Sequence, residues 1–517
     1  MQKRIFALIL ALMMILSLCG CNNEPADNST PAVSGGDPIE IAKSIGGNPI
    51  NGFDADGNLT YGGDPSVLVD GDTVYLYVGH DTAPGDAYVI PEYLCYSSKD
   101  LLSWSYEGVV LKMSDVPWAD NNSAWAGQVA KHVDPADGKT KYYFYYCSWN
   151  NRDSGKQSIG VAVSESPTGP FVDIGAPIVN GSFTSDESSA WNDIDPTVWI
   201  EVDKKGVEHR YLCWGNGKVY MCELNEDMIT VKDYNNDGQI TFKKDIISQV
   251  LPSAYTEGPW LYRRTDENGV AYGEYYLFYA SGWRERLAYS TCEDVMEGMW
   301  FYGALLMEPT ATSNTNHPAV FDFNGKTYMI YHNGSLIGGS GYRRSACIAE
   351  LEFDKNGVIS YVNESSLGLG GTASTLTTLN GEVLRHANFA NSGDDAAYPY
   401  DDVALGSKLS DVAEDAQWEI VQGLHDSSNA YYVSLESVNK PGMYVCASDN
   451  ATVLSHCYSA VLTQTMTFQT VTGLAGSGVS FESITVPGMY LTLKDGVVSL
   501  TDGSDAASCS FTIAEVE

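Results

Sequence analysis

Apolar and polar positions alternate along most of this chain in short runs, broken by turns rich in Asp, Asn and Gly. A period of two predicts strands that sit half-buried on a pleated surface. Five stretches share one order: a short apolar strand, a turn, then an aromatic strand with Tyr or Phe at alternating places. They are GDPSVLVDGDTVYLYVGHD from Gly63, AGQVAKHV with KYYFYYCSW from Ala126, IDPTVWIEVDKKGVEHRYLCWGN from Ile194, EGPWLYRRTDENG with EYYLFYASG from Glu257, and HPAVFDFNGKTYMIYHNG from His317. Counting back three residues from each strand's first anchor picks out Asp64, Ala126, Asp195, Glu257 and His317, at spacings of 62, 69, 62 and 60. A period near 60 made only of short strands predicts a five-bladed β-propeller with one blade per repeat. Equivalent positions at the start of innermost strands ring a central channel, so Asp64, Asp195 and Glu257 are expected to converge on one pocket.

From about Gly370 the composition shifts to Gly, Ser, Thr and Asp, and a second repeat begins. VSLESVNKPGMYV at Val433 matches VSFESITVPGMYL at Val479 in eight of thirteen places, 46 residues apart. Segments ending on Trp418, Phe468 and Phe511 recur with it, and three copies predict a β-trefoil-like domain. Its first copy starts near Glu382 and carries an insertion around 393–405. The expected organisation of this all-β chain is a signal peptide over 1–20, a flexible tether over 21–45, the propeller over 46–362 and the trefoil over 370–517.

The leader is read from Lys3 and Arg4 followed by an apolar run, Ile5 to Leu18, too short to span a bilayer. It ends in Leu18, Cys19, Gly20 and Cys21, which resembles a bacterial lipoprotein processing site, so Cys21 is the expected lipidated N-terminus of a protein anchored outside the cell. Without the leader, 27 basic residues face 66 acidic ones, a net charge of −39. That field repels phosphate backbones and anionic membranes, which argues against nucleic-acid partners and leaves the lipid as the membrane contact. A neutral polysaccharide meets no such barrier, and 33 Tyr and 11 Trp supply faces that stack on sugar rings. The nine cysteines after Cys21 are scattered, with no CxxC pair, and read as small buried hydrophobes; Cys446 and Cys457 are the one pair worth testing for a bridge.

Three carboxylates in a sugar-sized pocket suit glycoside hydrolysis, one as base toward water, one as acid toward the leaving oxygen, the third raising the acid's pKa. At these motifs the chain resembles glycoside hydrolase family 43, five-bladed propellers with an inverting Asp/Asp/Glu triad. GDPSV, IDPTV and TEGPW carry the resemblance, with SSKDLLSW at Ser97, SESPTGPF at Ser164 and the NHPAVFDF segment in order. It implies Asp64 as general base, Asp195 as the residue that tunes the acid and orients substrate, and Glu257 as general acid. Asp193 lies on the same strand face as Asp195, and periodicity does not separate them; the IDP match favours Asp195. The resemblance implies that His317 lies beside a structural Ca²⁺, reached directly or through water, although blade hydrogen bonds account for it equally; the chemistry itself requires no cofactor. It implies that Arg344, or its neighbour Arg343, reaches the carboxylates or the sugar, and that Trp125 forms a sugar platform, although Gly127 and Gln128 depart from the family's pattern there. Asp233 to Gly238 opens like a calcium loop, but Lys244 stands where a bidentate Glu is required, which favours a plain turn. The C-terminal part resembles carbohydrate-binding module family 42, the arabinofuranose-binding trefoil. That implies at most one sugar pocket, His386 with Asp415 in the first copy, since the second and third copies carry Ser448 or its neighbours with Thr465 and Lys494 or its neighbours with Ser508; a purely structural trefoil is the alternative. The expected function is release of terminal α-L-arabinofuranose from plant cell-wall arabinoxylan or arabinan, with β-xylosidase and noncatalytic polysaccharide capture as alternatives.

Overall fold

The computed structural model describes residues 35–152, 155–180, 190–242, 244–249, 251–252, 254–266, 269–387, 402–448 and 451–516. Cys21 and most of the 393–405 insertion lie outside them. Four antiparallel meanders of four strands follow one another. Tyr61–Asp70, Thr73–Asp81, Glu92–Ser98 and Ser105–Lys112 form the first; Gly127–Val133, Thr140–Trp149, Gln157–Ser164 and Val172–Asp173 the second. Thr197–Val202, Glu208–Trp214, Val219–Glu223 and Ile246–Gln249 form the third; Tyr255–Thr265, Ala271–Ser281, Arg286–Cys292 and Phe301–Met307 the fourth. The fifth sheet has three strands, Ala319–Phe323, Lys326–Asn333 and Ser345–Leu351. Its outer flank is taken by the chain that precedes blade one. There the Ile50 N–H donates to Ala346 O at 2.8 Å, and Asn48 exchanges side-chain bonds of 2.8 and 3.2 Å with the Ile348 backbone. The ring is thereby closed by its own N-terminal segment.

Alternating aromatics make each sheet apolar on both faces, and the core lies between blades. Tyr77 and Tyr93 of blade one pack with Phe144 and Tyr146 of blade two. Leu212 and Trp214 continue the layer from blade two to three, Leu277 and Tyr279 from three to four, and Phe278, Ile330 and Leu76 join blades four, five and one. An aromatic buried this way removes about 150–250 Å² from water, worth roughly 4–6 kcal/mol before ordering costs. Inner strands are thereby fixed in depth, and their N-terminal ends face one channel.

The C-terminal domain is a closed ring of six strands, in which Ala373–Thr378, Trp418–Gln422, Tyr432–Ser437, Phe468–Thr472, Val479–Ser483 and Phe511–Glu515 each pair with the next and the last with the first. Three hairpins cap it, and Trp418, Phe468, Phe481 and Phe511 fill its centre. This is the three-copy trefoil expected from the repeat. Cys446 and Cys457 are both free thiols. Cys457 donates its N–H to Gly442, whereas Cys446 pairs with Val453, so the two are separated by about 13 Å of strand, too far to bridge. The calcium-like loop is a turn: Asp233 accepts the N–H groups of Asp237 (3.2 Å) and Gly238 (2.6 Å), and the Lys244 ammonium lies 2.6 Å from Asp237.

Candidate active site

At the channel mouth Asp64, Asp195, Glu257, Arg344, Trp125, Tyr88, Ile90, Trp191, Ile194 and Thr315 line one open pocket of about 460 Å³. The triad and two expected substrate contacts are thus brought together. Asp64 (φ 50°) and Asp195 (φ 58°) both adopt the left-handed conformation directly before a proline. That region is sparse for non-glycine residues but tolerated by Asp, and the kink turns each carboxylate out of the blade into the channel. Blade four departs from the expected equivalence. Its left-handed residue is Gly258 (φ 63°), also before a proline, so Glu257 stands one place earlier, in register with Gly63 rather than Asp64. Both blades carry the same one-residue bulge here, and Trp260 is the register equivalent of Ser66 rather than of Val67, so counting back from it ran one place too far; the longer Glu side chain reaches the pocket from that earlier place.

Each carboxylate has its own environment. Arg344 donates to Asp64 Oδ1 from Nη1 at 2.6 Å, and is itself clamped by Asp81 through Nε (2.8 Å), Nη2 (2.9 Å) and its backbone N–H (2.9 Å). Gly63 is required beneath it, since a Cβ there would lie 2.1 Å from Arg344 Nε. Burial pushes the Asp64 carboxyl up, but the Arg344 charge and the hydrogen bond that comes with it act the other way, leaving Asp64 below the usual carboxylate range. His332 Nδ1 accepts the Asp64 N–H at 3.1 Å while its Nε2–H donates to Thr315 O at 2.9 Å; burial holds its pKa down to about 3, so the ring is a neutral spacer.

Glu257 goes the other way. Burial first, and then the Asp64 charge, raise its pKa, against a 2.8 Å bond from Asn216 Nδ2. Buried Glu285 is hydrogen-bonded to it and, desolvated and facing the Glu257 charge, is pushed well up as well. Asp195 is raised well above the carboxylate range by burial, then by the charges of Glu257 and Asp64. Its Oδ2 accepts the Gly258 N–H at 2.9 Å, so it also fixes the kink next to Glu257. Asp193 is elsewhere: buried, it accepts the Trp214 indole N–H at 3.0 Å. The arrangement depresses the pKa of one carboxylate against a guanidinium and raises that of the carboxyls beside it, the division that acid–base catalysis needs.

The remaining expectations fall as follows. Arg344 faces the carboxylates; Arg343 turns away to Gly338 O (2.6 Å) and Ala83 O (3.3 Å). Trp125 stacks on Trp191 at 4.9 Å, with Trp149 edge-on to both, and Trp191 is 43% exposed at the pocket rim. His317 is buried beside Gly258, with desolvation lowering its pKa to about 4. Among the described residues no group of three His, Cys, Asp or Glu side chains could hold a metal. Calcium takes six to eight oxygens, which the His317 imidazole does not itself supply. His386 and Asp415 are fully buried in the trefoil, where Asn439 joins them, its Oδ1 3.0 Å from His386 Nε2 and its Nδ2 donating to Asp415 at 2.8 Å. They lie behind a cleft between propeller and trefoil that Asn439, Glu414 and Tyr361 help to line. Asp81, Asn216, Glu285, Tyr88 and Trp191 were not singled out from the sequence. Asp81 alone left a trace, a charge closing an otherwise apolar aromatic strand.

Comparison with known proteins agrees with this geometry. Residues 60–359 match the model of glycosyl hydrolases family 43, and residues 386–512 match the alpha-L-arabinofuranosidase B domain. A beta-D-galactofuranosidase of Aspergillus niger is 28% identical over 287 residues, 53% of this chain and 76% of its own. A xylosidase/arabinosidase of Bacteroides ovatus is 27% identical over 58% of this chain and 94% of its own. In fold, a family 43 arabinoxylan arabinofuranohydrolase from Bacillus subtilis superposes with a TM-score of 0.50 and 21% identity, covering 74% of this chain and 81% of that one. With its triad at the mouth of a five-bladed ring and that match over more than half its length, the chain belongs to glycosyl hydrolases family 43, and it carries an arabinofuranosidase B domain at its C-terminus.

Proposed function

We propose that this glycosidase releases terminal α-L-arabinofuranose from arabinoxylan or arabinan, with inversion. The observation that carries the acid–base reading is the split between Asp64, whose pKa the Arg344 contact depresses, and Glu257, whose pKa burial and Asp64 raise. Asp64 removes a proton from water as that water attacks the anomeric carbon, and the bond to the leaving oxygen breaks as Glu257 delivers its proton there. Asp195 holds Gly258, and through it the backbone beside Glu257, while its carboxyl faces the sugar. The arabinofuranosidase B domain and a relative named for arabinosidase activity support the sugar assignment. β-Xylosidase is the second reading, favoured by the other half of that relative's name. All three carboxylates are present and held in one pocket, which weighs against a noncatalytic binding role.

The same reading places the protein outside the cell on a Cys21 lipid, which labelling with a fatty-acid analogue tests in wild type against Cys21→Ser. It also keeps His386 and Asp415 as a sugar pocket that Asn439 must open. For the activity, the protein from residue 22 onward is incubated with arabinoxylan, arabinan and xylo-oligosaccharides, and released sugars are identified beside Glu257→Gln. Arabinose lost in the variant supports the proposal; xylose moves the function to β-xylosidase; no product from any substrate refutes it.

A further inference from the structure

Between the second and third strands of blade five the chain leaves the sheet after Asn333 and rejoins it at Ser345. The last residue of this excursion is Arg344, which holds Asp64. Four of its eleven residues, 334–344, are glycine. A segment so rich in glycine has many conformations open to it and needs outside contacts to select one.

Those contacts come from the trefoil. His456 donates from Nε2 to Gly334 O at 3.1 Å, and the Gly338 N–H donates to Cys457 O at 2.8 Å. The Ile337 side chain packs against the trefoil cluster of Tyr444, Cys457 and Met466. The fit is close: a Cβ at Gly442 (φ 82°) would lie 2.6 Å from Ser335 Cα. On its other side the excursion is tied to the machinery around the base. Tyr61, on the Asp64 strand, donates to Ile337 O at 2.7 Å, and Arg343 joins Gly338 O to Ala83 O, just beyond Asp81. Tyr342 packs 4.8 Å from Tyr88, whose ring covers the Arg344 guanidinium at 5.1 Å. Ile337 and Gly338 thus meet the trefoil and the base's own strand at once.

We propose that the trefoil is a working part of the active site: it anchors the 334–343 excursion in the conformation that presents Arg344 to Asp64, with Ile337 and His456 as positioning residues. The inference rests on Asp64 being the base. A misplacement of about 1 Å at the reacting groups costs on the order of a hundredfold in rate, so a slackened anchor is felt in kcat without any trefoil atom touching substrate.

The test uses the full mature chain and compares kcat, KM and the pH profile of kcat/KM for wild type, Ile337→Ala, Ile337→Val, His456→Ala, His456→Gln and Asp64→Asn. Phe481→Leu, in the trefoil centre and away from the excursion, serves as a stability control. Ile337→Ala and His456→Ala are expected to lose roughly tenfold to a hundredfold in kcat with KM little changed. Their acid limb moves to higher pH, because Asp64 then feels less of the Arg344 charge. Ile337→Val and His456→Gln, which keep bulk and donor, recover most of the loss, and Phe481→Leu shows none. An unchanged kcat and acid limb in both alanine variants overturns the proposal, as does an equal loss in Phe481→Leu. If Ile337→Ala does not fold, the two His456 variants decide alone. Full activity in Asp64→Asn refutes the base assignment, whereas an inactive Asp64→Asn beside unaffected alanine variants refutes the anchor only.

Discussion

Replacing Arg344 by Met keeps the bulk and removes the charge, and its cost can be worked from the contacts. Arg344 is 2% exposed and Asp81 1%, and the side chain makes two bonds to Asp81 and one to Asp64. Removing one partner of a buried pair costs about 3–5 kcal/mol, because the charge left behind has neither water nor counter-ion. Two carboxylates lose their cation here, but the Asp64 side chain is 17% exposed and regains some solvation. The middle of that range, about 4 kcal/mol, is expected at neutral pH. It lowers the urea midpoint by on the order of 1 M, followed by intrinsic tryptophan fluorescence. Acid, which protonates the stranded Asp64, narrows the gap to wild type. For Asp64 the sign is defined: its folded pKa is depressed, so its contribution to stability is present above the unfolded value and lost as pH falls through the folded one. Without Arg344 burial dominates, that pKa rises, and the acid limb of kcat/KM moves up with it. A variant as stable as wild type at neutral pH, or with an unmoved acid limb, refutes this account of how the base is held.

Three further outcomes follow from the same geometry. Asp195→Asn should lose about 10²–10⁴ in kcat with the fold intact, whereas Asp193→Asn keeps kcat and loses about 1 kcal/mol of stability through its bond to Trp214; steady-state kinetics beside thermal unfolding separate the two. The kcat/KM profile of wild type should be bell-shaped, with an acid limb below the ordinary carboxylate range from Asp64 and a basic limb above it from Glu257; reversed limbs would exchange the two roles. Trp191→Ala should raise KM about fivefold through roughly 1 kcal/mol of lost stacking at the pocket rim, with kcat nearly unchanged, in initial-rate measurements on arabino-oligosaccharides.

What the sequence disclosed about this site was whatever repeats or alternates. The five aromatic strand pairs announced the blades, and Asp64 and Asp195, each before a proline, were legible as one recurring kink. Glu257 was legible as a carboxylate of the fourth blade but not in its true register, because Trp260 pairs where Ser66 does in blade one and the left-handed place falls to Gly258. Asp193 and Asp195 were expected on one strand face, but both precede the strand that starts at Thr197, and the left-handed kink at Asp195 sends it to the pocket while Asp193 takes the Trp214 indole. Asp81, Asn216 and Glu285 act through distant partners that no local spacing encodes. His386 and Asp415 were read as a matched pair, and are one, but the Asn439 that closes them belongs to the next repeat. The contact between trefoil and Arg344 excursion joins segments more than a hundred residues apart and leaves no periodic signal.

The central claim is that Glu257 delivers the proton and Asp64 prepares the water, and leaving-group dependence tests it most directly. Wild type and Glu257→Gln are compared on an arabinoxylan oligosaccharide, whose leaving oxygen needs a proton, and on a dinitrophenyl α-L-arabinofuranoside, whose leaving group does not. The account predicts a loss of about 10²–10⁴ on the oligosaccharide and a far smaller one on the aryl glycoside; equal losses on both, or none on the oligosaccharide, would contradict it.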